Sequence, residues 1–219
     1  MKKFKWFLWI MFAGIALYTL AFLNGFGGET IPKNRTKEQY EFEKKFEPMF
    51  KFLEQDKKDF TGLKLYKNSI YIESGNVVKD YEVFLDTSQS EIKGDYTIKI
   101  GDNKETVPVT YSNGRLQYES KLEPLFDEEI LNLVVQRDYF ASLNIKETFK
   151  SAETELSDII YQPESQSELN KYLKNKYDMP EDTSCRVRLD CASGTIYSFS
   201  ILMESKNKSV QIDLSIFKK

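Results

Sequence analysis

Apolar positions along the chain follow three patterns: one unbroken run, two or three stretches with helical spacing, and long stretches of alternation. The unbroken run comes first. From Trp6 to Phe26 the chain reads WFLWIMFAGIALYTLAFLNGF without a charge. About 21 residues at roughly 1.5 Å rise make about 31 Å of helix, the thickness of a bilayer core. Lys2, Lys3 and Lys5 precede the run and Glu29 is the first charge after it. The positive-inside rule then predicts a cytoplasmic N-terminus over 1–5, a transmembrane signal anchor over 6–26, a tether over 27–35 and an extracytoplasmic remainder. Trp6 and Trp9 fall at the inner boundary, where an indole buries its ring and wets its N–H, and act with the three lysines as interface anchors. Gly25-Phe26-Gly27 offers the rival reading, a cleaved signal peptide, but the apolar run exceeds what such a segment requires.

Helical spacing follows the tether. Thr36 with Gln39 resembles a capping box, and Phe42, Phe46, Met49, Phe50 and Leu53 recur on one face, which predicts a helix over 36–58. Pro48 interrupts it, as a kink or as the start of a second helix. The face formed by Phe42, Phe46, Phe50 and Leu53 is core or, alternatively, a partner-binding surface.

After Gly62 the period changes to two: Leu63 and Leu65, Ile70 and Ile72, Tyr81 to Leu85, Tyr96 to Ile100, Val107 to Tyr111, and Leu116 with Tyr118. Ser74-Gly75-Asn76, Gly94-Asp95, Gly101-Asp102-Asn103 and Ser112-Asn113-Gly114 read as turns, so 63–120 is expected to be an antiparallel meander. EPLFDEEILNLVVQRDYF (123–140) and the stretch 164–177 read as helices, and 145–162 is ambiguous. In the last forty residues Cys185, Val187, Leu189 and Cys191 alternate with polar residues, and runs from Tyr197 and Val210 give two more strands. The expected class is α+β: a membrane helix, then an extracytoplasmic domain over 36–219 of antiparallel meanders covered by helices, with 121–162 as the place for any subdivision.

Composition narrows the chemistry. The 219 residues contain no histidine, which removes His-based acid/base pairs, Ser-His-Asp sites and His-ligated metals. Lys plus Arg number 31 against 34 Asp plus Glu, and setting the leading lysines aside makes the remainder more acidic still. A nucleic-acid partner is therefore not expected. Cys185 and Cys191 on one extended strand lie about 20 Å apart, whereas a disulfide needs Cα atoms about 4.4 to 6.8 Å apart. They are read as buried, unpaired thiols.

Ser-x-x-Lys, found at Ser90–Lys93 and Ser205–Lys208 among other places, is the pattern by which lysine activates serine without histidine. With both residue types frequent, two matches are expected by chance. Strand tyrosines such as Tyr66, Tyr71, Tyr111, Tyr118 and Tyr197 could present amphipathic rings to a ligand or stabilise the sheet by cross-strand pairing. No calcium loop or phosphate-binding loop occurs, so no cofactor and no metal are expected. By subtraction, the chain reads as a single-pass membrane protein. It contacts the bilayer through 6–26, and its outer domain is a non-catalytic binding or assembly module for another envelope protein, with oligomeric state left open. The alternative is an anchored or secreted carboxylate-dependent hydrolase acting on an envelope polymer.

Overall fold

The computed structural model describes residues 31–118, 128–163 and 167–219. Asn34–Lys219 is the larger of two units. In the larger unit, helix α1 (Lys37–Glu43), a 3₁₀ turn (Lys44–Phe46) and helix α2 (Glu47–Leu53) precede five strands, β1 (Leu63–Ser74), β2 (Val77–Asp86), β3 (Ile92–Ile100), β4 (Asn103–Ser112) and β5 (Arg115–Gln117). Short helices α3 (Glu128–Leu131) and α4 (Arg137–Ser142) lead to β6 (Asn144–Lys150) and β7 (Leu156–Gln162). Helix α5 (Glu168–Lys176) then leads to β8 (Ser184–Ala192), β9 (Ile196–Glu204) and β10 (Lys208–Lys218).

The expected α+β arrangement of separate meanders under helices is corrected here. All strands join one ten-stranded antiparallel sheet, in the order β5-β4-β3-β2-β1-β10-β9-β8-β7-β6, and helices are few and short. The pairing of β1 with β10 fuses the two halves into one sheet, in register from Leu65 opposite Phe217 to Ser74 opposite Lys208. The expected transmembrane description is corrected as well: among the described residues no helix is long and apolar enough to cross a membrane. Residues 6–26, with Lys2, Lys3, Lys5, Trp6 and Trp9, lie outside the described residues.

Local departures from the expected elements have identifiable causes. The helix expected over 36–58 is two helices, because Pro48 sits in the first turn of α2, where its missing N–H is not needed. Thr36 and Gln39 form the reciprocal capping box of α1. Gly94-Asp95 is not a turn. Gly94 lies within β3 opposite Leu85, where a Cβ would fall 1.7 Å from the Phe84 carbonyl oxygen, so the glycine permits close strand approach. The actual β2–β3 turn spans 87–91. The ambiguous stretch 145–162 supplies β6 and β7.

One face of the sheet is apolar. A single row runs from Val107 on β4 through Tyr96, Val83, Asn68, Leu214, Phe199 and Leu189 to Ile159 on β7. Every member of that row is buried. Phe46, Met49, Phe50 and Leu53 pack onto this face from the helices. Phe140 of α4 meets Phe50 edge-on at 4.9 Å and Phe199 of β9 at 6.0 Å. Burying side chains of this size is worth about 1.5–3 kcal/mol each.

Two buried cations pin this cover. The Arg35 side chain has no solvent exposure, and its Nε lies 3.0 Å from Glu43 Oε2. Its terminal nitrogens donate to the carbonyl oxygens of Leu143, at 2.5 Å, and Phe140, at 2.9 Å, around the end of α4. Tyr161 on β7 donates to the other Glu43 oxygen at 2.8 Å. Asn34 and Arg35, read as the end of a tether, therefore belong to the folded unit. Lys58 donates to the carbonyl oxygens of Leu133 at 2.8 Å, Phe52 at 3.0 Å and Leu53 at 3.3 Å, tying the end of α2 to the segment after α3. Burial pushes its pKa down to about 8, against the raising effect of Asp56.

Replacing Arg35 by methionine strands the Glu43 carboxylate in the core. Arg35→Met is expected to lose about 3–5 kcal/mol in urea unfolding of the full-length chain, and R35M combined with Glu43→Leu less than the single change. A loss below about 1 kcal/mol for the single change would mean that the pair behaves as a solvated surface bridge.

Candidate functional site

Strand alternation that turns the apolar rows toward the helices turns polar rows to the opposite face. Across that outer face one row runs Phe149, Asp158, Asp190, Ser198, Ser215, Lys67 and Phe84. The next row carries Glu147, Arg188, Ser200, Asp213, Ser69 and Glu82, and Asp80 lies one row further on β2. Asp158 on β7 and Asp190 on β8 are directly opposed.

Arg188 serves both of these acids, with Nη2 at 2.6 Å from Asp158 Oδ2 and Nε at 4.0 Å from Asp190 Oδ2. Asp158 is only 8% exposed, and its Oδ1 is buried without a hydrogen-bond partner. Burial raises the pKa of Asp158, and Glu147 adds to this against the lowering effect of Arg188. Burial likewise raises Asp190, with Asp158 and Asp213 adding repulsion while Arg188 and Ser198 oppose it. Asp80 is raised by burial and then by Glu82 and Asp213, with Lys67 and Lys99 opposing. Lys67 bridges to Glu82 at 2.5 Å. Six carboxylates, Asp80, Glu82, Glu147, Asp158, Asp190 and Asp213, thus surround Lys67, Lys99 and Arg188, and negative charge in this cluster outnumbers the cations that compensate it.

A second concave feature lies at one end of β1–β4, a pocket of about 530 Å³ between the 58–62 loop, the β2–β3 turn and the β4–β5 turn. Phe60 and Tyr111, whose rings meet edge-on at 5.1 Å, stand in its lining beside Thr61, Thr87, Ser88 and Ser90.

The residues singled out from the sequence fall elsewhere. Phe46, Phe50 and Leu53 are buried, and Phe42 packs partly buried against them. This helix face lies against the sheet and does not present a docking surface. Cys185 and Cys191 are free thiols, buried on the apolar face of β8. Cys185 Sγ donates to Asn170 Oδ1 at 3.2 Å, and burial pushes its pKa up to about 12, far from a reactive thiolate. Tyr66 and Tyr197 face the core, whereas Tyr71, in register between Asp80 and Gln211, lies on the outer face.

Neither the Ser90 nor the Ser205 match assembles a nucleophile and base. The Lys208 ammonium donates to the Tyr177 carbonyl oxygen at 2.5 Å while Ser205 Oγ donates to the Lys208 carbonyl oxygen at 3.0 Å. Lys93 pairs with Glu91 at 2.9 Å. Among the described residues no set of three Cys, Asp or Glu side chains is placed to hold a metal ion. Sequence reading missed the Asp158–Asp190 pair, since its one trace is the Arg186, Arg188, Asp190 alternation, and only strand register brings in Asp158.

No protein-family model matches the chain, and comparison with curated proteins finds none similar. Among solved structures, one described as the crystal structure of an N-terminal dehydratase from difficidin assembly line aligns with 72% of this chain and 78% of that chain. The identity is 9% and the TM-score 0.18, a likeness too slight to carry an argument about fold or activity.

A carboxyl whose folded pKa is raised contributes stability that is present below its unfolded value near 3.8 and lost as pH climbs through the folded value. The isosteric change Asp190→Asn is therefore expected to raise the urea midpoint at about pH 7 while leaving it nearly unchanged at about pH 3. A midpoint that falls at neutral pH would show that pairing with Arg188 outweighs burial and repulsion.

Proposed function

We propose that the chain is a non-catalytic binding or assembly module of a cell envelope, whose outer sheet face docks a partner protein presenting basic side chains. The observation that carries this reading is the surplus of carboxylates around Asp190 and Asp213. The raised proton affinity of Asp80, Asp158 and Asp190 is a cost that an approaching Lys or Arg relieves, so cationic groups gain more here than at an ordinary solvated acid. Ser198 and Ser215 share a hydrogen bond at 2.9 Å and leave a low-profile platform on which a partner can lie. The sheet's edges are less suited to strand addition. β5 has three residues, and β6 carries a register shift between Ile145 and Glu147 with Lys146 and Lys150, devices that blunt an edge.

Hydrolysis by a carboxylate pair is the second reading, favoured by the raised proton affinity of Asp158 and Asp190. Glycoside cleavage, however, needs two acids flanking the substrate across a cleft. These two stand side by side on neighbouring strands and share one arginine.

The test places a photo-crosslinking residue at Ser215, or at Lys206 in the distant β9–β10 turn, in the full-length chain within cells. The expected result is a discrete protein adduct from position 215 alone. Its yield should fall about tenfold when Asp190→Lys and Asp213→Lys are added, and fall again as salt rises. Equal adducts from both positions, or a yield indifferent to charge reversal, would overturn the proposal.

A further inference from the structure

The geometry points to a second binding site, for a neutral saccharide unit, in the pocket between the 58–62 loop and the β2–β3 turn. Its volume of about 530 Å³ lies within the roughly 300–1,000 Å³ of small-molecule sites. The lining pairs hydroxyl side chains, Thr61, Thr87, Ser88 and Ser90, with the ring pair Phe60 and Tyr111. Sugars match that combination: each hydroxyl both donates and accepts, and the C–H face of the ring packs on an aromatic surface.

Charge separates this ligand class from others. Asp59 and Lys219 stand at the pocket with opposite signs. The third ionisable group there, Lys58, directs its ammonium to main-chain carbonyl oxygens and is not free to balance an anion. Asp59 is also engaged, accepting the Thr61 N–H at 2.8 Å. Asp59 and Lys219 offset one another and Lys58 is taken up by carbonyl oxygens, so the pocket presents no surplus of either sign for a charged ligand to complement, whereas a neutral polyol needs none. One lining hydroxyl, Thr87 Oγ1, is buried without a hydrogen-bond partner in a residue 6% exposed, an unmet polar group at the base of the β2–β3 turn.

The walls are also pre-formed. The Thr87 N–H donates to the Lys64 carbonyl oxygen at 3.1 Å, the Leu63 N–H to Phe60 at 3.0 Å and the Lys219 N–H to Gly62 at 3.1 Å. Little ordering is left to be done on binding, which lowers the cost of holding a small ligand. This site lies on loops at the strand ends and is independent of the outer-face reading, so either can fail alone.

The test uses saturation-transfer NMR on the full-length chain with chitobiose and maltose as probes. At least one of the two is expected to bind with Kd on the order of 1 mM. Ser90→Trp, at an exposed position where the indole fills the pocket, is expected to weaken binding at least about tenfold with an unchanged circular dichroism spectrum. Gln89→Ala, a smaller change on the same rim, serves as a second folded variant and should weaken binding by a few-fold. No transfer to either sugar from folded wild-type chain, or binding indifferent to Ser90→Trp, would overturn the assignment.

Discussion

The ladder between β1 and β10 is the interaction on which the rest of the fold depends. These are the longest strands, 12 and 11 residues, and they pair across the whole separation between the start and the end of the sheet. Without this seam there would be two five-stranded meanders, each with a long apolar edge strand open to solvent and to aggregation. With it, Asn68 sits opposite Leu214 and Ile70 opposite Ile212, and a buried row crosses from β4 to β7 without a break. A contact of such sequence separation closes a very long loop, so folding is expected to be slower than for a helical chain of this size.

The apolar face created by the seam sets how the helices must behave. Helices of seven residues are too short to be stable alone. They persist because Phe46, Phe50 and Leu53 are buried, and because Arg35 and Lys58 bring charged donors to carbonyl oxygens at and just beyond helix ends. The buried cations do the work of caps. The outer face shows the reverse: Asp80, Asp158 and Asp190 are held with raised proton affinity, a local cost that the fold itself does not require. The partner docking proposed above would relieve that cost, since a cation brought to this face favours the ionised carboxylates.

Alternation made the C-terminal strands legible residue by residue, since Cys185 to Cys191 and Val210 to Ile216 each follow a strict period of two. The capping box at Thr36 was equally plain, because its partners lie three residues apart. What alternation cannot carry is pairing between distant strands, so the β1–β10 seam and the juxtaposition of Asp158 with Asp190 were illegible, and two separate meanders were expected where one sheet forms. Gly94 misled for a related reason: glycine before aspartate marks a turn in isolation, and only the approach of Phe84 shows why glycine stands inside a strand. The Phe-rich helix face was legible as a face but not as to what covers it.

Amide hydrogen exchange along a urea series on the full-length chain tests the seam most directly. If the sheet is one cooperative unit, amides of 63–74 and 208–218 exchange only through global unfolding, and 77–112 and 156–204 lose protection at the same denaturant concentration. Loss of protection in one half while the other remains protected would contradict a single sheet held by β1 and β10.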